Sequence, residues 1–144
     1  MGIPASLGIV TLGVSDLDRS VAFYTALGWE RCRSSIEGAI VWFRTADTNL
    51  GLFPYDELAK DATIGKVERG SFGGITLAMN VESAEDVGRF LQEAKGAGAS
   101  IVKPATKAEW GGTSGYFADP DGYLWEIAHN PSFPIGDDGR LTIP

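Results

Sequence analysis

Few side chains in this sequence could carry acid–base, nucleophilic or metal chemistry on their own. His129 is the only histidine and Cys32 the only cysteine, so a His-rich or Cys-rich zinc site cannot be assembled within one chain. A Cys–His nucleophilic pair would need those two residues to meet in the fold. Each has a simpler reading: Cys32 as a small buried side chain within a short strand, His129 as a structural or exposed ring. Ser114-Gly115 and Ser34-Ser35 have no histidine near them in sequence. Asp119 and Asp121 flank a proline in Asp119-Pro120-Asp121-Gly122, where turn geometry explains the carboxylates better than metal binding does. None of the 19 glycines builds a phosphate-binding loop ahead of a helix, and Gly70, Gly73 and Gly74 read as backbone freedom before a strand. Aromatic side chains are plentiful, and core packing accounts for most of them. Trp110-Gly111-Gly112 stands apart, because a loop is an unusual place for a core indole. With Phe53, Trp42 and Tyr116, Trp110 could form a stacking wall for a flat ligand.

Charge narrows the partners. Twelve Lys and Arg stand against 19 Asp and Glu, for a net charge of −7. Nucleic acids require clustered excess cations, and anionic membrane surfaces disfavour an acidic chain, so neither is expected as a partner. No run approaches the ~18 apolar residues of a membrane span. Met1 to Leu7 lacks the basic and apolar regions of a signal peptide, and no disulfide can close inside the chain. A cytoplasmic protein is expected, and 144 residues suit one domain or two small halves sharing one core.

The elements that must position these residues come in two similar series. Leu7 to Val14 reads as a strand, Asp16 as a cap, and Leu17, Val21, Tyr24 and Leu27 as one helical face ended by Gly28. Gly74 to Val81 again reads as a strand, Ser83 as a cap, and Val87, Phe90, Leu91 and Ala94 as a helical stripe closed by Gly96 or Gly98. An offset of 67 residues sets Val14 on Val81, Leu12 on Met79, Val10 on Leu77 and Phe23 on Phe90. Three strand-like runs follow each helix: Glu30–Ser34, Ala39–Thr45 and Asn49–Pro54, then Ser100–Lys107, Thr113–Ala118 and Tyr123–His129. An internal duplication follows, with repeats over 5–54 and 72–130, a linker over 55–71 and an irregular surface tail over 131–144 within a single domain of 1–144. The linker holds one helical turn near Asp56–Lys60.

The expected class is α+β: two βαβββ repeats forming a curled mixed sheet around a cleft, with helices on the outer faces. This pattern, with Asp119-Pro120-Asp121-Gly122-Tyr123-Leu124-Trp125-Glu126 near its end, resembles the vicinal oxygen chelate superfamily of glyoxalase, bleomycin-resistance and dioxygenase proteins. The opening Val14-Ser15-Asp16-Leu17-Asp18-Arg19-Ser20-Val21-Ala22-Phe23-Tyr24 is similar to that group's first strand–helix signature, and the resemblance spans roughly residues 5 to 130.

The resemblance implies a divalent ion held by two residues from each half, at positions that fall here on Ile9, Gly51, Thr76 and Glu126. Ile9 has no donor atom, Gly51 no side chain and Thr76 a weak neutral hydroxyl, so Glu126 alone keeps a ligating group and no metal or other cofactor is expected. If Ile9 and Thr76 face the cleft, strand alternation brings Thr11, Gly13, Ala78 and Asn80 with them, while Val10, Leu12, Val14, Leu77, Met79 and Val81 meet the helices. Glu126 shares its face with Leu124 and Ala128, and His129 takes the opposite one.

A carboxylate left without a metal in a partly apolar cleft could serve as a general base or pair with a cationic ligand group. It could equally be vestigial, hydrogen-bonded to Thr11, Thr76 or water. The favoured function is metal-independent binding of a small cationic or aromatic molecule, by Thr11, Thr76, Asn80, Phe53, Trp42, Trp110, Tyr116 and Glu126. The alternative is a glyoxalase-like lyase or isomerase with Glu126 catalytic, with or without a weakly bound divalent metal; a purely structural dimer module is the third. The resemblance also implies a homodimer.

Overall fold

In each half, apolar side chains recur at every second strand position, and those sides of both sheets close on one core. The computed structural model describes residues 2, 3, 5–65, 70 and 72–144. Residues 66–69 and 71 of the expected linker, and Met1, lie outside the described residues. The element order is β1 (Ile9–Val14), α1 (Leu17–Ala26), β2 (Glu30–Arg31), β3 (Val41–Arg44), β4 (Asn49–Pro54) and α2 (Tyr55–Asp61), then β5 (Thr76–Asn80), α3 (Ala84–Ala97), β6 (Ser100–Lys107), β7 (Thr113–Ala118) and β8 (Leu124–His129). The first sheet runs β1-β4-β3-β2 and the second β5-β8-β7-β6, each with one parallel pair, β1 with β4 and β5 with β8. This is the expected α+β class with two βαβββ units, and the sheets are not closed into a barrel.

The helices start and stop where their caps dictate. The Asp16 carboxylate accepts the Arg19 amide at 3.1 Å to open α1, and the Ser83 hydroxyl accepts the Asp86 amide at 3.2 Å to open α3. Gly98 ends α3 at φ 116°, a left-handed conformation that only glycine adopts without strain. The expected strand over Glu30–Ser34 is shorter, because a side chain intrudes on its ladder: the Trp42 amide donates to the Ser35 hydroxyl at 2.9 Å. Cys32, still linked through its amide to the Trp42 carbonyl at 2.7 Å, is half-buried rather than fully buried. The single turn expected in the linker is a seven-residue helix, α2.

Leu12, Val14, Val41, Phe43, Leu50 and Leu52 from the first sheet share one core with Phe117, Trp125 and Ile127 from the second. Phe23 of α1 packs edge-on against Tyr24 and reaches Phe117, their centroids 6.2 Å apart. Each such fully buried side chain contributes about 1.5–3 kcal/mol relative to exposure. Helices α1 and α3 therefore lie on the core-facing sides of the sheets, between the halves, rather than on the outside of a shared cleft, while α2 crosses the other side of β1 and β4. The tail follows the second half back to the first: Ile135 and Leu141 form an antiparallel bridge, and Arg140 Nε donates to the Ala46 carbonyl at 3.4 Å.

Candidate functional site

The strand registers superpose the two halves on each other. Thr11 lies opposite Gly51, which lies opposite Trp42; Ala78 lies opposite Glu126, which lies opposite Tyr116. Gly51 is thus the counterpart of Glu126 and Trp42 that of Tyr116. Leu12, Val14, Trp125 and Ile127 all enter the core, so these two triplets occupy the opposite faces of their sheets.

On the first face, a side chain at Gly51 would begin 3.0 Å from Thr11 Oγ1 and 3.3 Å from Trp42 Cδ1. The absent side chain is what lets the Trp42 indole approach the strand beside Thr11. Phe53 is paired with Gly13 on this face, and there Tyr55 of α2 crosses so closely that a β-carbon on Gly13 would begin 2.8 Å from Tyr55 Cδ2. Ile9 is 51% exposed at the other end.

On the second face, the Tyr116 phenol stands beside the Glu126 carboxylate. Desolvation raises the tyrosine pKa, and the charge of Glu126 and a hydrogen bond to it raise it further. Thr76 is exposed at one end of β5, and Asn80 is half-buried at the other. Trp110 sits in the β6–β7 hairpin, 56% exposed, its ring lying over Gly112 near the His129 carbonyl. The structure therefore brings Tyr116 to Glu126 and Thr11 to Trp42, but holds the two groups on separate faces that look away from a common core. His129 takes the opposite face from Glu126, as alternation requires, and its Nδ1 lies 3.0 Å from the Val81 carbonyl.

The donor set does not fit a divalent ion. An aliphatic side chain, a glycine and a neutral hydroxyl leave Glu126 as the one charged oxygen ligand at the four positions. Among the described residues no three His, Cys, Asp or Glu side chains are grouped to hold a metal.

Sequence reading missed a polar hub between the halves. Asp121 Oδ1 accepts both the amide and the hydroxyl of Ser15 at 2.8 Å, and its Oδ2 accepts the Ser20 hydroxyl at 3.1 Å. Asp119, 4% exposed, accepts the amides of Asp121 and Tyr123 on Oδ1 and the Tyr24 hydroxyl on Oδ2. Burial raises the Asp119 pKa, and those hydrogen bonds oppose the shift. The turn itself was legible; that its carboxylates face residues about a hundred positions away was not.

Paired βαβββ units with ligand positions on β1, β4, β5 and β8 define the vicinal oxygen chelate class of fold. A family model described as the Glyoxalase/Bleomycin resistance protein/Dioxygenase superfamily matches residues 6–127, and the chain belongs to that superfamily. Among solved structures, a glyoxalase-related enzyme from Fulvimarina pelagi is 32% identical, with a TM-score of 0.87 over 97% of this chain and 99% of that one. A hypothetical protein from S. aureus is 22% identical, with a TM-score of 0.76 over 90% and 96% of the two chains. A lactoylglutathione lyase from Agrobacterium tumefaciens is 20% identical, with a TM-score of 0.66 over 88% and 95%. The last two likenesses extend to the fold alone. No curated protein matches the chain. No helix among the described residues is long and apolar enough to cross a membrane.

Proposed function

We propose that this protein binds a small cationic or aromatic molecule without a metal, with Glu126 and Tyr116 as the polar end of the site. The observation that carries this reading is the donor set itself: one carboxylate survives at the four ligand positions, and its strand neighbour is a phenol. A carboxylate beside an aromatic ring suits an ammonium or similar cation, which the net charge of −7 also favours. Thr76 and Asn80 flank this end of the site. Thr11, Trp42 and Phe53 supply a second wall, and Trp110 its rim.

Because the two faces look apart, a single chain leaves each open. A homodimer in which the first-half face of one copy covers the second-half face of the other would complete both. The exposed Ile9 and Ile75 beside Thr76 are consistent with such cover. A second reading rests on the same contact: a carboxylate and a phenol in contact form an acid–base pair, so Glu126 could abstract a proton in a lyase or isomerase reaction. The likeness to a glyoxalase-related enzyme favours keeping it.

The test is metal analysis of protein purified without chelators, with a thermal-shift screen of cationic and aromatic metabolites. Binding is expected to give a shift in the wild type that Glu126→Gln removes, with substoichiometric metal. Stoichiometric tight metal, or turnover of a glyoxalase substrate abolished by Glu126→Gln, would replace binding by catalysis. Sedimentation measures the dimer directly.

A further inference from the structure

Between the two halves, along the core-facing sides of β1 and β5, lies a half-open cavity of about 710 Å³. Pockets for organic ligands span roughly 300–1,000 Å³. The space is thus sized for a ligand.

Both halves build its walls, with Val10 and Leu50 on one side and Leu77, Met79 and Trp125 on the other. Trp29 meets Trp125 edge to face beside it, their centroids 5.4 Å apart and their planes at 83°. The indole N–H of Trp125 already donates to the Tyr24 hydroxyl at 3.1 Å, so Trp125 offers the cavity ring surface rather than a donor. The C-terminal segment forms the cover: Ile135 and Leu141 line the cavity, and the hydrogen bond from Arg140 to Ala46 fastens the segment to the β3–β4 hairpin. At the mouth, the carboxylates of Glu30 and Asp47 outnumber the single guanidinium of Arg44, which lies 3.4 Å from Glu30. Ala78 and Asn80 of β5 border the cavity, so it adjoins the Glu126 face, but Glu126, Tyr116, Thr11 and Trp42 do not line it.

We propose that this cavity is a second binding site, separate from the Glu126 face, for a flat and largely apolar aromatic molecule that is neutral or cationic. Ring surface and aliphatic walls select the apolar body, and the acidic mouth disfavours an anion. An occupant would touch both halves and the C-terminal segment at once.

The neutral fluorophore N-phenyl-1-naphthylamine serves as the probe, read by its emission and by energy transfer from tryptophan. Saturable binding of about one probe per chain is expected at this half-open site. Met79→Trp fills the cavity and is expected to weaken binding about tenfold, and Leu141→Glu, which places a charge in the cover, about fivefold. Glu126→Gln and Tyr116→Phe should leave probe affinity within about twofold. If Met79→Trp does not fold, Leu141→Glu decides, since it lies on a surface segment. Absence of saturable binding, or affinity unmoved by both cavity variants, overturns the proposal. Loss confined to Glu126→Gln or Tyr116→Phe also overturns it and assigns the probe to the open face.

Discussion

The Tyr24 hydroxyl donates a 2.7 Å hydrogen bond to Asp119, joining α1 of the first half to the β7–β8 turn of the second. The same hydroxyl accepts from Trp125 Nε1, and all three residues are buried. Tyr24→Phe keeps the ring but leaves a buried carboxylate and a buried indole N–H each short of a partner. Lost hydrogen bonds to charged groups cost about 1.5–3 kcal/mol, so a total loss of about 2–4 kcal/mol is expected from urea unfolding. Unchanged stability would show that ring packing alone joins the halves here.

Asp119 should give the protein a pH dependence of definite sign. Its folded pKa is raised above the ordinary 3.8, chiefly by burial. The associated stability is fully present below 3.8 and is lost as pH rises through the raised value, because the folded state holds the proton more tightly. Asp119→Asn lacks this dependence. The stability of the wild type minus that of the variant should therefore fall as pH rises above 3.8 and then level off. Urea titrations from about pH 4 to about pH 7 measure it, and a difference that grows with pH contradicts the assignment.

Asp121 holds the loop before α1 through two hydrogen bonds to Ser15, and the first turns of α1 through one to Ser20 and an ion pair with Arg19 at 3.8 Å. Asp121→Ala strands buried Ser20 and frees Ser15, with an expected loss of about 1–3 kcal/mol. A double-mutant cycle with Ser20→Ala should show coupling, since the two side chains share one bond. Strict additivity would place the effect in the turn alone.

The contact between Tyr116 and Glu126 is visible in the phenol. Desolvation and the neighbouring carboxylate both raise the Tyr116 pKa, so Glu126→Gln removes the second cause and should let Tyr116 ionise at lower pH. The measurement is an ultraviolet phenolate titration, each protein read against its own Tyr116→Phe counterpart. An unmoved curve would mean that the two side chains do not meet in solution.

Much of the fold was legible because strand and helix periods are local. The alternation in Ile9–Val14 and Thr76–Asn80 located the core-facing residues, and the caps at Asp16 and Ser83 located both helices. Boundaries were less legible where a side chain displaced the backbone ladder, as Ser35 does beside Trp42. Of the candidate site, the four ligand positions Ile9, Gly51, Thr76 and Glu126 were legible, but the pairing of Gly51 with Thr11 and of Glu126 with Ala78 came from the parallel strand register. The partners across the sheet, Trp42 and Tyr116, required the antiparallel register, which depends on the lengths of intervening turns.

By itself, the sequence determined the family, the two βαβββ units, and the lack of donor atoms at three of the four ligand positions. Those are properties of residue identity and short-range period. Only the tertiary structure decided that the halves meet through their helix-bearing sides, leaving the Thr11–Trp42 and Tyr116–Glu126 faces looking apart. It also decided that Asp119 and Asp121 bind the halves together, and that the tail covers a cavity between them. The reason is physical: either sheet face could have been buried against the other half. The choice rests on how Tyr24, Phe23, Trp29 and Trp125 pack across about a hundred residues of chain, which no local pattern records.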